Sequence, residues 1–179
     1  MKTTYFLLVL FLLSMVSDAQ NLNYQWVQTL GGITDDAGYA ITNDANGNLF
    51  TTGFFSGTVD FDPGPGVTNL TSSGGIDIFI LKLNASGDFI WAKQIGDGGF
   101  EYGASVTSDV SGNVYILGRF MGTVDFNPNA GVFNIGSSGA ADMFILKLDA
   151  NGSFIFVSTV GSPDFSGNPS PTSVFVDIS

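Results

Sequence analysis

The sequence predicts an all-β protein made of four-stranded antiparallel sheets that repeat along the chain and shield one another. Three observations carry this. Residues 46–96 lie over residues 111–161 without a gap, with 27 of 51 positions identical, so the chain repeats every 65 residues. Each unit holds four short runs rich in Phe, Ile, Val, Leu and Thr, punctuated by Gly, Asn, Asp and Ser. The run Ile78-Phe79-Ile80-Leu81 is apolar on both faces of a strand, whereas a sheet with one wet face would alternate.

In chain order, the first 19 residues read as a secretory signal. Lys2 supplies the positive start, residues 6–16 the apolar stretch, and Ser17-Asp18-Ala19 the small residues before a cut that leaves Gln20 first. A stretch of 11 residues is too short to span a bilayer of roughly 30 Å. Residues 24–31 align with the fourth strand of a unit. The first whole unit then has strands at 39–43 and 48–55, joined by the turn at Asp44–Asn48. An irregular insert follows from Gly57 to Gly75. Strands at 77–83 and 89–95 come next, joined by the turn at Asn84–Asp88. Short turns make neighbouring strands antiparallel, which argues against a parallel β-helix.

A two-faced apolar sheet needs cover on both sides. Like units packed face to face provide it, and a β-propeller arranges them so around an axis. The 65-residue unit exceeds the usual roughly 40–50 residues, and the excess is the insert at 57–75, repeated at 122–139. The reading is therefore a partial β-propeller: residues 20–32 as the fourth strand of an incomplete blade, 33–97 and 98–162 as blades, and 163–179 as the start of another. Two blades do not close a ring of the typical four to eight, so the chain is expected to be a fragment of a larger protein. Its missing neighbours would be further blades of a longer chain or other copies of this one.

Three motifs add a resemblance: Asp44-Ala45-Asn46-Gly47-Asn48, the phrase from Gly57 to Gly64 (GTVDFDPG), and that from Asp77 to Ala92 (DIFILKLNASGDFIWA). Together they resemble the secreted bacterial β-propeller repeat family, over about residues 24–179. That resemblance implies a large exported or cell-surface protein of a Gram-negative-type bacterium, often with a separate C-terminal sorting domain that is not seen in this chain. It brings no general catalytic motif.

The formal charge of −11 would repel phosphate backbones, and the five basic residues form no stripe, so nucleic acid is excluded as a partner. With no Cys and no His, thiol nucleophiles, His-based triads, zinc sites and disulfides are excluded too. No cofactor is expected except possible Ca²⁺. Its candidate ligands are Asp60, Asp62 and Asp125. Alternate carboxylates suit a hard cation, but Asp62-Pro63-Gly64 also has the order of a β-turn, and Asp62 becomes Asn127 in the second copy. Phe61 and Phe126 are expected to pin the inserts to the blades. Asp77 and Lys82, five residues apart, should face opposite ways and meet neighbouring strands or blades, as should Asp142 and Lys147. Trp26, Trp91 and Phe156 recur at one position and read as packing between blades. The functional expectation is an exported, non-catalytic scaffold or binding module with its protein or glycan contacts on the inserts. The alternative is a carboxylate-dependent polysaccharide hydrolase or lyase, which would need two carboxylates of differing pKa in one asymmetric pocket.

Overall fold

A computed structural model describes residues 26–161 and 169–176. The signal at 1–19, its cut, and parts of both flanking blade fragments (20–25, 163–168 and 177–179) lie outside the described residues. Within them the architecture is all β, in two like blades. Blade 1 runs β1 (Asp36–Asn43), β2 (Leu49–Phe55), β3 (Thr58–Asp60), β4 (Asn69–Thr71), β5 (Asp77–Leu83) and β6 (Phe89–Ile95). Blade 2 repeats it as β7 (Tyr102–Ser108), β8 (Val114–Phe120), β9 (Thr123–Asp125), β10 (Asn134–Gly136), β11 (Asp142–Leu148) and β12 (Phe154–Val160). The main sheets are antiparallel, ordered β1-β2-β5-β6 and β7-β8-β11-β12, and the two blades close no ring.

The hairpins inside each blade share one turn. The Asp44 N–H donates to the Asn48 carbonyl at 3.0 Å, and Asp44 Oδ1 accepts the N–H groups of Asn46 and Asn48 at 2.9 Å each. Gly47 supplies a φ of +78°, which other residues adopt at a cost. Asn84, Asp109 and Asp149 repeat the arrangement, closing on Asp88, Asn113 and Ser153. This is the hairpin turn the sequence predicts.

The strands differ from expectation in three places. β1 starts at Asp36 rather than residue 39, because a bulge at Tyr39 lets pairing resume from Gly38↔Gly53 back to Asp36↔Phe55. The inserts are not irregular throughout: β3 pairs with β4 and β9 with β10. Residues 26–31, expected as a fourth strand, form no ladder. Such a strand is held by pairing with a third, and no described strand neighbours it. Nor do the described residues 174–176 form a strand; the Val174 N–H donates instead to Ser105 Oγ at 3.1 Å.

Both faces of β5 are buried. Ile78 and Ile80 join one core with Ile95 of blade 1 and Val106, Ile116, Phe126 and Phe144 of blade 2. Phe79, Leu81 and Leu83 join another with Phe55, Val59 and Phe61. Each insert is thus pressed onto its own blade. Phe61 meets Phe55 at 5.2 Å and Phe79 at 5.1 Å between ring centroids; Phe126 meets Phe120 at 5.1 Å and Phe144 at 5.0 Å. The expected pins are therefore real. The insert of blade 2 fills space between the blades as well, since Val124 and Phe126 belong to the shared core.

Asp77 and Asp142 close the returning ends of the inserts. Asp77 Oδ2 accepts the Ser73 N–H at 3.0 Å and the Gln94 amide at 2.6 Å; Asp142 Oδ2 accepts the Ser138 N–H and hydroxyl at 2.9 Å each. Gly96 and Gly161 stand against these two carboxylates, where a Cβ would overlap them.

Phe126→Ala should lower the unfolding free energy by about 3–5 kcal/mol, because it opens a cavity in the shared core. Denaturant titration of the full chain measures it. A loss under about 1 kcal/mol would mean that the phenyl ring does not pin the insert.

Candidate functional site

The sequence-predicted carboxylates sit in the inserts. At the end of β3, Asp60 Oδ1 accepts the N–H groups of Asp62 (3.0 Å) and Thr68 (2.8 Å). At the end of β9, Asp125 Oδ1 does the same for Asn127 (2.9 Å) and Phe133 (2.8 Å). Asp62 Oδ1 takes the Gly64 N–H at 2.8 Å, and the neutral Asn127 Oδ1 takes that of Asn129 at 3.1 Å. Carboxylate and amide do one job, which is to hold the turn. The three candidates are not brought together: Asp60 and Asp62 belong to the blade 1 insert and Asp125 to that of blade 2. Among the described residues no three acidic side chains form a cation-holding group.

Beyond those turns the inserts reach solvent. Gly64, Pro65, Gly66 and Val67 are exposed in blade 1, as are residues 129–134 in blade 2. Val67 and Val132 are 72% and 74% exposed although apolar. The blade 2 tip is also clasped. Lys93 of β6 donates to Asn129 Oδ1 at 3.1 Å, the Asn129 amide donates to the Gly152 carbonyl at 3.3 Å, and Phe133 lies 4.8 Å from Phe154. Each insert therefore offers a short exposed tip on a rigid root.

The blade junction uses the repeated aromatic. The Trp91 indole N–H donates to the Ala150 carbonyl at 3.2 Å, and Lys82 Nζ donates to the same oxygen at 2.9 Å. Trp26 repeats the contact on the Ala85 carbonyl at 3.2 Å. So Trp26 and Trp91 pack onto the turn of the following blade, and Lys82 meets the neighbouring blade as its spacing predicts. Phe156, third in the series, is 42% exposed. Lys147, the counterpart of Lys82, turns back to Asp109 Oδ2 at 3.4 Å and lies 4.7 Å over the Tyr115 ring.

One chemically distinctive group was not singled out from the sequence. Glu101, between β6 and β7, is completely buried. Its Oε2 takes the Asp97 N–H at 3.4 Å, whereas Oε1 has no partner among the described residues, and neither has Asp77 Oδ1. Burial first, then the charges of Asp77 and Asp97, push the Glu101 carboxyl up to about 7, against the pull of the hydrogen bond from the Asp97 N–H. Burial also raises Asp77. The signal for Glu101 was its singularity: it is the only glutamate in the chain, and the preceding unit has Asp36 at that position.

Because Glu101 binds its proton more tightly folded than unfolded, its penalty is absent below the ordinary glutamate range. The penalty grows from about pH 4.5 to about pH 7 and is complete above that. Glu101→Gln should therefore match the parent near pH 5 and exceed it at pH 8 by on the order of 2–3 kcal/mol. Melts at the two pH values check this; a pH-independent gain would refute the ionisation account. Since the insert carboxylates already hold their own turns, EDTA should leave the melting midpoint within about 1 °C, and a fall of several degrees would reveal a stabilising cation.

No protein-family model matches the chain. Over 109 residues it is 29% identical to an uncharacterized WD repeat-containing protein of Acanthamoeba polyphaga mimivirus. That similarity covers 53% of this chain and 8% of the viral protein, so the chain spans a small fraction of its relative's length. A relative described by a propeller-type repeat agrees with the two four-stranded blades.

Proposed function

We propose that this chain is an exported, non-catalytic β-propeller scaffold or binding module of the secreted bacterial type, acting at or beyond the outer cell surface through its insert tips. The carrying observation is the contrast within each insert: Phe61 and Phe126 are buried, yet Val67 and Val132 a few residues on are exposed. A rigid root with an exposed apolar tip suits contact with a protein or glycan surface. The repeated carboxylates support binding over catalysis, because each holds its own turn or insert. Lys2, the apolar stretch at 6–16 and Ser17-Asp18-Ala19 support export.

Expressed in a Gram-negative host, the full chain should be recovered outside the inner membrane with Gln20 as its first residue. It should adhere to intact cells or to arrayed glycans and release no reducing ends. Replacing residues 64–67 and 130–132, which leaves the clasping Asn129 and Phe133 in place, with Gly-Ser should abolish adhesion to neutral glycans without changing the melting midpoint. Retention in the cytoplasm, depolymerised glycan, or undiminished adhesion of the tip variant would each contradict the proposal.

A further inference from the structure

Away from the inserts, the repeat breaks where the blade does not require it. Blade 1 sets Ala37 opposite Phe54 across β1 and β2, whereas blade 2 sets Tyr102 opposite Arg119 at the same two places. Tyr39 of blade 1 becomes Ala104 of blade 2. Around them Gly38 and Gly103, Gly53 and Gly118, and Phe55 and Phe120 are unchanged. Positions the fold needs are thus kept, and these three are not.

The divergent side chains form a row across the blade junction. Tyr39 stands edge-on to Phe54 at 5.6 Å, Phe54 to Tyr102 at 5.3 Å, and the Arg119 guanidinium carbon lies 4.3 Å over the Tyr102 ring. Tyr39, turned outward at its bulge, is 53% exposed. Tyr39, Tyr102, Ala104 and Arg119, with Pro169, Ser170 and Pro171, line a cleft of about 600 Å³. That is within the range of small-molecule sites, roughly 300–1,000 Å³.

Arg119 is the only arginine in the chain. Among the described residues it has no ion-pair or hydrogen-bond partner: the one salt bridge joins Lys147 and Asp109. The guanidinium lies over the Tyr102 ring and its N–H donors meet no described acceptor, so its fork can grip a carboxylate with two hydrogen bonds. Exposed Tyr39, at the other end of the row, offers a flat apolar face with a polar tip. At a net charge of −11 the surface does not attract anions in general, so an anion held here is held locally.

We propose that this cleft binds a carboxylated sugar, a uronate residue of an acidic glycan, with Arg119 clamping the carboxylate and Tyr39 and Tyr102 lying against the ring. Ring faces and one cation suit an acidic sugar, whose C–H face can lie on an aromatic ring, better than an acidic peptide, whose capture leans on main-chain pairing. The site is separate from the insert tips and does not depend on them.

The full chain is titrated by calorimetry with trigalacturonate, with the neutral galactose trimer, and with an acidic hexapeptide of Asp and Glu. The uronate trimer should bind at least about tenfold more tightly than the other two, a difference of about 1.4 kcal/mol. Arg119→Ala and Arg119→Lys should each weaken it about tenfold or more, since lysine cannot make the bidentate contact. The double variant Tyr102→Ala/Arg119→Phe installs the pair that blade 1 already carries, so it should fold with an unchanged melting midpoint and lose binding. Equal binding of the neutral trimer, preference for the peptide, no binding to the parent chain, or undiminished binding by the double variant would each overturn the proposal. The insert-tip variant should keep trigalacturonate affinity, so failure at the cleft and failure at the tips are told apart.

Discussion

Ile78 and Ile80 point one way from β5, and Phe79, Leu81 and Leu83 point the other. Burying each such side chain stabilises the fold by roughly 1.5–3 kcal/mol, so a strand of this kind is stable only with cover on both sides. In blade 1 the cover is complete: every residue of β5 is buried. One side comes from the face of blade 2 and the other from the insert folded back over its own blade. The face-to-face stacking, the deep anchoring of Phe61 and Phe126 and the use of the inserts as filling all follow from that need.

β11 has nearly the same sequence as β5, with Met143 in place of Ile78. Its insert-side residues Phe144, Leu146 and Leu148 are buried, while Ile145, the counterpart of the fully buried Ile80, is 37% exposed. Burial is thus a property of the neighbour rather than of the residue. The lysines show the same dependence. Lys82 finds a carbonyl on the adjacent blade, and Lys147, on a face with no described neighbour, pairs with Asp109 within its own.

The polar chemistry divides in two. Asp44, Asp109 and Asp149 hold hairpin turns and titrate below the ordinary carboxylate range. In Asp44 and Asp109 burial pulls upward but is outweighed by hydrogen bonds; in Asp149 the Ser153 N–H leads. Glu101 and Asp77 are shifted the opposite way, because the junction that excludes water supplies too few donors for both oxygens. The distinction separates side chains that close a local turn from those trapped where two blades meet.

The sequence alone determined whatever depends on neighbours in the chain or on the 65-residue period. The four-stranded antiparallel units, the Asx-closed hairpins, the strands at 77–83 and 89–95 and the anchoring phenyls were legible there, because alternation and turn chemistry are local and the repeat copies them. Only the tertiary structure decided what depends on contacts distant along the chain: the carbonyl that Trp91 and Lys82 share, the burial of Glu101, and the row from Tyr39 to Arg119. Those positions carry no periodic signal. Their environments are made where one sheet meets the next, and a repeat pattern says that two faces will meet without saying which side chains the meeting strands of water.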